Sequence, residues 1–119
     1  MTTSEIATVL AWHDALNAKD VDTLIELSTG DIEIGDTHGA VQGHDALREW
    51  ATSTGFTAEP GRMYVHDGVV VVEQRGKTGE TTASAFRVVH DKVTSVFRHP
   101  DLASALTATE LTEADLVEA

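Results

Sequence analysis

Ile6, Val9, Leu10 and Leu16 recur at the spacing of one helical face, with His13 among them and Trp12 on the flank. Thr2 and Glu5 stand at capping-box spacing ahead of that run. Asn17-Ala18-Lys19-Asp20 breaks the pattern, and Asp20 is a suitable N-cap for a second helix. Val21, Leu24, Ile25 and Leu27 supply its apolar side, and Gly30 marks its expected end. From Asp31 the period changes to two: Ile32 and Ile34 are apolar, while Asp31 and Glu33 are acidic. This is the pattern of a strand with one buried face, followed by a tight loop and a return to Gly43. A third helix is expected after Gly43, with Leu47, Trp50 and Ala51 buried, fading into Ser53-Thr54-Gly55.

The second half reads as strand. Arg62 to His66, Val69 to Lys77, Thr82 to His90 and Val93 to His99 are rich in β-branched and aromatic residues. Asp67-Gly68 between apolar runs is a strong hairpin signal, and Asp91-Lys92 a weaker one. An antiparallel meander follows, then a short helix over Asp101 to Leu106 and an acidic tail, 108–119, that is free to fray. Val69 to Val72 are four consecutive valines, so both faces of that strand are apolar. An antiparallel sheet with one wet face should alternate. The second face therefore needs cover, either from a second copy of the chain, the preferred expectation, or from the C-terminal segment.

Composition narrows the function classes. A chain of 119 residues makes one domain. Its net charge of −12 argues against nucleic acid and anionic membranes as partners, both of which select basic patches. There is no Cys, hence no disulfide or thiolate metal site, and the N-terminal residues lack the pattern of a secretory signal, so the cytoplasm is expected. No Gly-rich phosphate loop, nucleophile elbow or dinucleotide fingerprint occurs, and no cofactor is expected.

Candidate chemistry centres on Asp36. With His38 it continues the parity of Ile32 and Ile34, so a carboxylate points toward the core side at the strand's end. A carboxylate there is costly unless paired, neutral or at a wet cavity mouth, the environment of a general base. The same Gly-Asp-Thr-His-Gly segment also suits a plain turn, with Asp36 bonding nearby amides. His13 reads as a satisfied core histidine rather than a proton shuttle. His38 and His44 with Asp36 match no regular metal-ligand spacing. Trp50, Phe56, Met63 and Phe86 read as core or pocket wall. Arg75 and Arg87 read as partners of acids such as Glu73 on the outer sheet face.

The order of elements resembles the nuclear transport factor 2-like superfamily, in its SnoaL-like branch. ALNAKDVDTLIEL, DIEIGD, GHDALREW, ASAFRVVHDKV and FRHPDL carry the resemblance, which covers about residues 5 to 107. It implies an α+β roll: three N-terminal helices packed in a strongly curved, mostly antiparallel sheet, forming a cone whose open end is a small-molecule pocket. Asp36 is similar in position to the catalytic base of ketosteroid isomerases. Their two oxyanion donors fall at Trp12 and Ser84, which are weaker acids than the tyrosine and protonated aspartate of those enzymes. Limonene epoxide hydrolase resembles the chain too, but its two carboxylates and arginine fall at Arg98, Gly76 and Gln74, which argues against its mode of water activation. The SnoaL cyclases use an acid–base pair in the pocket, and Asp36 with Arg98 or His99 is the equivalent here.

Three readings follow. The first is a cofactor-free isomerase- or cyclase-type enzyme acting on a small apolar or aromatic carbonyl compound through Asp36, with His38, Arg98 and His99 as further candidates. The second is a binding or accessory module with the same pocket, walled by Trp12, His13, Trp50, Phe56, Ser84 and Phe86. The third is a dimeric interaction domain whose cone is filled by its own aromatic side chains.

Overall fold

The computed structural model describes residues 2–36, 39–53, 58–76 and 79–117. Helices α1 (Thr2–Ala18) and α2 (Val21–Glu26) precede strands β1 (Ser28–Asp36) and β2 (Gly39–Gln42). Helix α3 (His44–Ser53) leads to the meander β3 (Ala58–His66), β4 (Val69–Gly76), β5 (Thr81–Val89) and β6 (Lys92–His99), then α4 (Leu102–Thr109) and a 3-10 turn at Glu113–Asp115. The six strands form one sheet in the order β2-β1-β6-β5-β4-β3. Among the described residues only β1 and β6 run parallel. The fold is the expected cone-shaped α+β roll.

Several boundaries move from their expected places, each for a local reason. Helix α1 includes Thr2. It ends where Lys19 turns left-handed at φ 59°, with the amide of Asp20 bonded back to the Ala15 carbonyl, a helix stop usually made by glycine. Asp20 then caps α2 by accepting from the Thr23 amide, as expected. α2 stops at Glu26, not near Gly30, because Ser28 already belongs to β1 and the Leu27 carbonyl accepts from the Val93 amide. Strand β3 begins ahead of Arg62 and passes through Pro60 beside an irregularity between Pro60 and Met63, where a residue without an N–H is tolerated.

Asp67-Gly68 is the expected two-residue turn, with both φ values positive. The β5–β6 turn sits one residue earlier than its sequence signal. Val89 pairs with Lys92, so His90 and Asp91 are the central residues, at φ 51° and 63°. Asp and His tolerate that conformation better than most side chains.

The sheet has two apolar faces, and the chain itself buries much of both. Val70, Val72, Phe86, Val93 and Val96 pack with Val9, Trp12 and Leu16 of α1 and with Leu24, Ile32, Ile34 and Leu47. On the other face Tyr64, Val71, Ala83 and Ala85 pack with Ala105 of α4 and with Leu111. Beyond α4, Glu110 caps the helix in the left-handed conformation, Leu116 bridges to Tyr64, and the Val117 amide donates to the Met63 carbonyl at 2.8 Å. The segment 108–117, which its sequence leaves free to fray, is thus tied to the sheet, and Val71 needs no second subunit to bury it.

Candidate functional site

Asp36 ends β1 on the inward parity of Ile32 and Ile34. Ile34 stands beside Val96 and Gly35 beside Phe97 in the parallel β1–β6 pair, so the next inward positions are Asp36 and Arg98. Both line one small cavity with Ile34, Val41 and Trp50, about 160 Å³ in volume. Asp36 is exposed and Arg98 half-buried at this rim. Burial lowers the Arg98 pKa from its ordinary value, and the Asp36 carboxylate opposes that shift. The two side chains are electrostatic neighbours, an anion and a cation at the mouth of an apolar cone.

His99 departs from the expected pair. It stands opposite Ala83, on the outer face, whereas Arg98 stands opposite Ser84, on the inner one. Successive strand residues point to opposite sides, so only Arg98 accompanies Asp36 inside. His99 instead lies near Asp101, whose carboxylate caps α4 by accepting from the Ser104 amide at 2.7 Å. His38 and Phe56 lie outside the described residues.

The inner wall is polar where its sequence neighbours are apolar. Ser84 Oγ donates to Gln74 Oε1 at 2.7 Å, Gln74 Nε2 stands 3.0 Å from His13 Nε2, and Asn17 Nδ2 stands 3.2 Å from His13 Nδ1. His13, Gln74 and Ser84 are all buried. Desolvation holds the His13 pKa below its ordinary value, with Asp14 opposing, so the ring is neutral at pH 7. A neutral imidazole has one N–H and one lone pair, so one of the two amides turns its oxygen to the ring.

Trp12 is 1% exposed. Its indole N–H donates to Ser28 Oγ at 2.9 Å, and that hydroxyl donates to the Leu24 carbonyl at 2.7 Å. The Trp12 ring meets Phe86 edge-on at 5.4 Å and Trp50 at 6.2 Å. Both residues at the oxyanion positions implied by the family resemblance, Trp12 and Ser84, therefore direct their protons into the wall. His44 has a structural partner, the Ser28 carbonyl, at 3.2 Å. Among the described residues no cluster of three His, Cys, Asp or Glu side chains could hold a metal. In the sequence Gln74 stands out only as a mismatch with an epoxide hydrolase. A signal for its inward placement exists, since it shares the parity of Val70 and Val72. Ser28 carries no such signal, because its role depends on where α1 crosses it.

Residues 9–102 match the family model of the SnoaL-like domain. No curated protein matches the chain. Solved structures agree on the fold. One, from Sinorhizobium meliloti and named for a proposed polyketide cyclase activity, is 20% identical with a TM-score of 0.70, over 78% of this chain and 94% of that one. An NTF2-like protein of Burkholderia xenovorans is 23% identical with a TM-score of 0.67, over 92% and 98%. An LEH-like epoxide hydrolase of M. tuberculosis is 19% identical with a TM-score of 0.69, over 89% and 91%.

Proposed function

We propose that this chain, which belongs to the SnoaL-like domain family, binds a small apolar carbonyl compound at the cone mouth and moves a proton on it with Asp36. The observation that carries the reading is the inward pairing of Asp36 with Arg98 above Ile34, Val41 and Trp50. Asp36 takes the proton from a carbon next to the carbonyl. The electron pair moves onto the carbonyl oxygen, and the Arg98 guanidinium stabilises that developing negative charge, the larger catalytic contribution in such chemistry. Returning the proton at the same carbon completes an exchange, and in a β,γ-unsaturated ketone returning it at the γ-carbon of the dienolate completes an isomerisation. Arg98 supplies what Trp12 and Ser84, engaged elsewhere, do not. The proposed cyclase and the epoxide hydrolase among the structural neighbours are compatible with small-molecule chemistry on this fold.

The test is deuterium exchange at the α-carbons of small cyclic ketones in D2O, followed by proton NMR, with wild type and Asp36→Asn side by side. The proposal expects exchange catalysed by wild type and lost by at least about 100-fold in the variant. Equal rates in the two proteins overturn it. A second reading, a binding module without chemistry, is favoured by the internal engagement of Trp12 and Ser84. It expects ketones or phenols to raise the melting temperature of both proteins with no exchange in either.

A further inference from the structure

The outer face of the sheet carries a second concavity. Beside the last turn of α4, at Ala108 and Thr109, the strands open into a groove of about 500 Å³. Its floor is apolar, built from Val69, Ala85 and Phe97. Across that floor Arg87 stands between Val69 and Ser95 in register. The acid that its sequence surroundings suggested as a partner is elsewhere: Glu73 stands opposite Ala83 and pairs with Arg62 at 3.4 Å. Among the described residues Arg87 has no carboxylate partner within ion-pair distance.

The charge of the groove runs against that of the chain. The protein has 20 Asp and Glu against 8 Lys and Arg, yet the charged side chain on the groove's outer-face strands is Arg87, while Asp36 and Arg98 reach it only from the rim they share with the cone mouth. Asp36 is already the electrostatic neighbour of Arg98. An exposed guanidinium over an apolar floor, in a volume within the usual range of ligand sites, matches one ligand chemistry. We propose that this groove binds a monoanionic carboxylate with an apolar, ring-sized body. The carboxylate bonds to Arg87, and the body lies on Val69, Ala85 and Phe97. A second copy of the chain fits less well, because a two-fold contact centred here would bring two Arg87 side chains toward each other. The groove shares Asp36 and Arg98 with the cone mouth, but the proposed contacts, Arg87, Val69, Ala85 and Phe97, take no part in proton transfer there, so absence of ketone exchange leaves naphthoate binding untouched and its failure leaves Asp36 untouched.

The experiment titrates 2-naphthoate and the neutral 2-naphthamide into 15N-labelled wild type, Arg87→Gln and Arg87→Lys, with melting temperatures confirming that each variant is folded. The expected result is binding of the naphthoate with shifts at Arg87, Ser95 and Phe97, and at least about tenfold weaker binding of the amide. Arg87→Gln should lose about tenfold or more, and Arg87→Lys should retain part of the affinity. The proposal is overturned by equal binding of the amide, by full affinity in Arg87→Gln, by shifts confined to Val41 and the Trp50 indole at the rim, or by no binding at all. Sedimentation velocity covers the remaining occupant. A wild-type dimer whose concentration-dependent amide shifts fall at Arg87, Ser95 and Phe97, together with no naphthoate binding, would assign the groove to a second copy and overturn the ligand.

Discussion

The Ser84 hydroxyl donates to Gln74 Oε1 at 2.7 Å, joining β4 to β5 inside the core. Through Gln74 and His13 the connection reaches α1, so the helix at the centre of the cone is held by directional bonds as well as by packing. Apolar contacts alone would allow the helix to slide or rotate at small cost. A buried hydrogen bond fails outright when its partner moves, since an unmade one in the core is costly.

Ser84→Ala leaves Gln74 Oε1 buried without its donor. It should destabilise the protein by about 1–3 kcal/mol, measured by urea unfolding. In a Gln74→Leu background, where the acceptor is already gone at the cost of the His13 contact, the same Ser84→Ala change should cost less. Additive losses in the double variant would sink the account of the Ser84–Gln74 link.

His13 makes stability depend on pH. Its folded pKa is lowered by desolvation, while the unfolded chain titrates at about 6.5. Below that value the unfolded state binds more protons than the folded one. The stability due to neutral His13 is therefore complete above pH 6.5 and declines as pH falls through 6.5 toward the depressed folded value. Melting temperatures between pH 8 and 5 should fall more steeply for wild type than for His13→Gln. Identical slopes would remove His13 as the titrating group.

Gly35 is the close-approach point of the β1–β2 hairpin, next to Asp36. A Cβ there would lie 2.8 Å from the Ala40 Cβ, 2.8 Å from the Gly39 carbonyl oxygen and 2.9 Å from the Phe97 ring. Two of these neighbours belong to the same hairpin and cannot move without opening it. Gly35→Ala should cost about 1–3 kcal/mol and shift the amide resonances of Asp36 and Ala40. An unchanged melting temperature would show that the hairpin is looser than its geometry.

Leu111 anchors the C-terminal segment on Tyr64 and Ala105. Leu111→Ala should cost about 2–5 kcal/mol and speed hydrogen exchange at the Val117 amide, which bonds to Met63. Wild-type exchange at Val117 in that variant would mean that the segment is held without Leu111.

Much of this protein is local and legible in order along the chain. The 3.6-residue period of Val9, Leu16 and their neighbours, the two-residue period of Ile32 and Ile34, and the Asp67-Gly68 turn each depend on the conformational preferences of a few adjacent residues. Their succession suffices for the family and the fold. Parity with Ile32 and Ile34 is also enough to aim Asp36 inward. Tertiary structure decided what depends on residues far apart in sequence. Whether Arg98 or His99 joins Asp36 depends on the register of β6 against both β1 and β5. Whether Trp12 and Ser84 offer their protons to a ligand depends on Ser28 and Gln74, which the fold brings beside them. Whether the valines of β4 face a partner or the chain itself depends on where α4 and Leu111 return. In each case a periodic pattern states which way a side chain points, while only the assembled fold states what it meets.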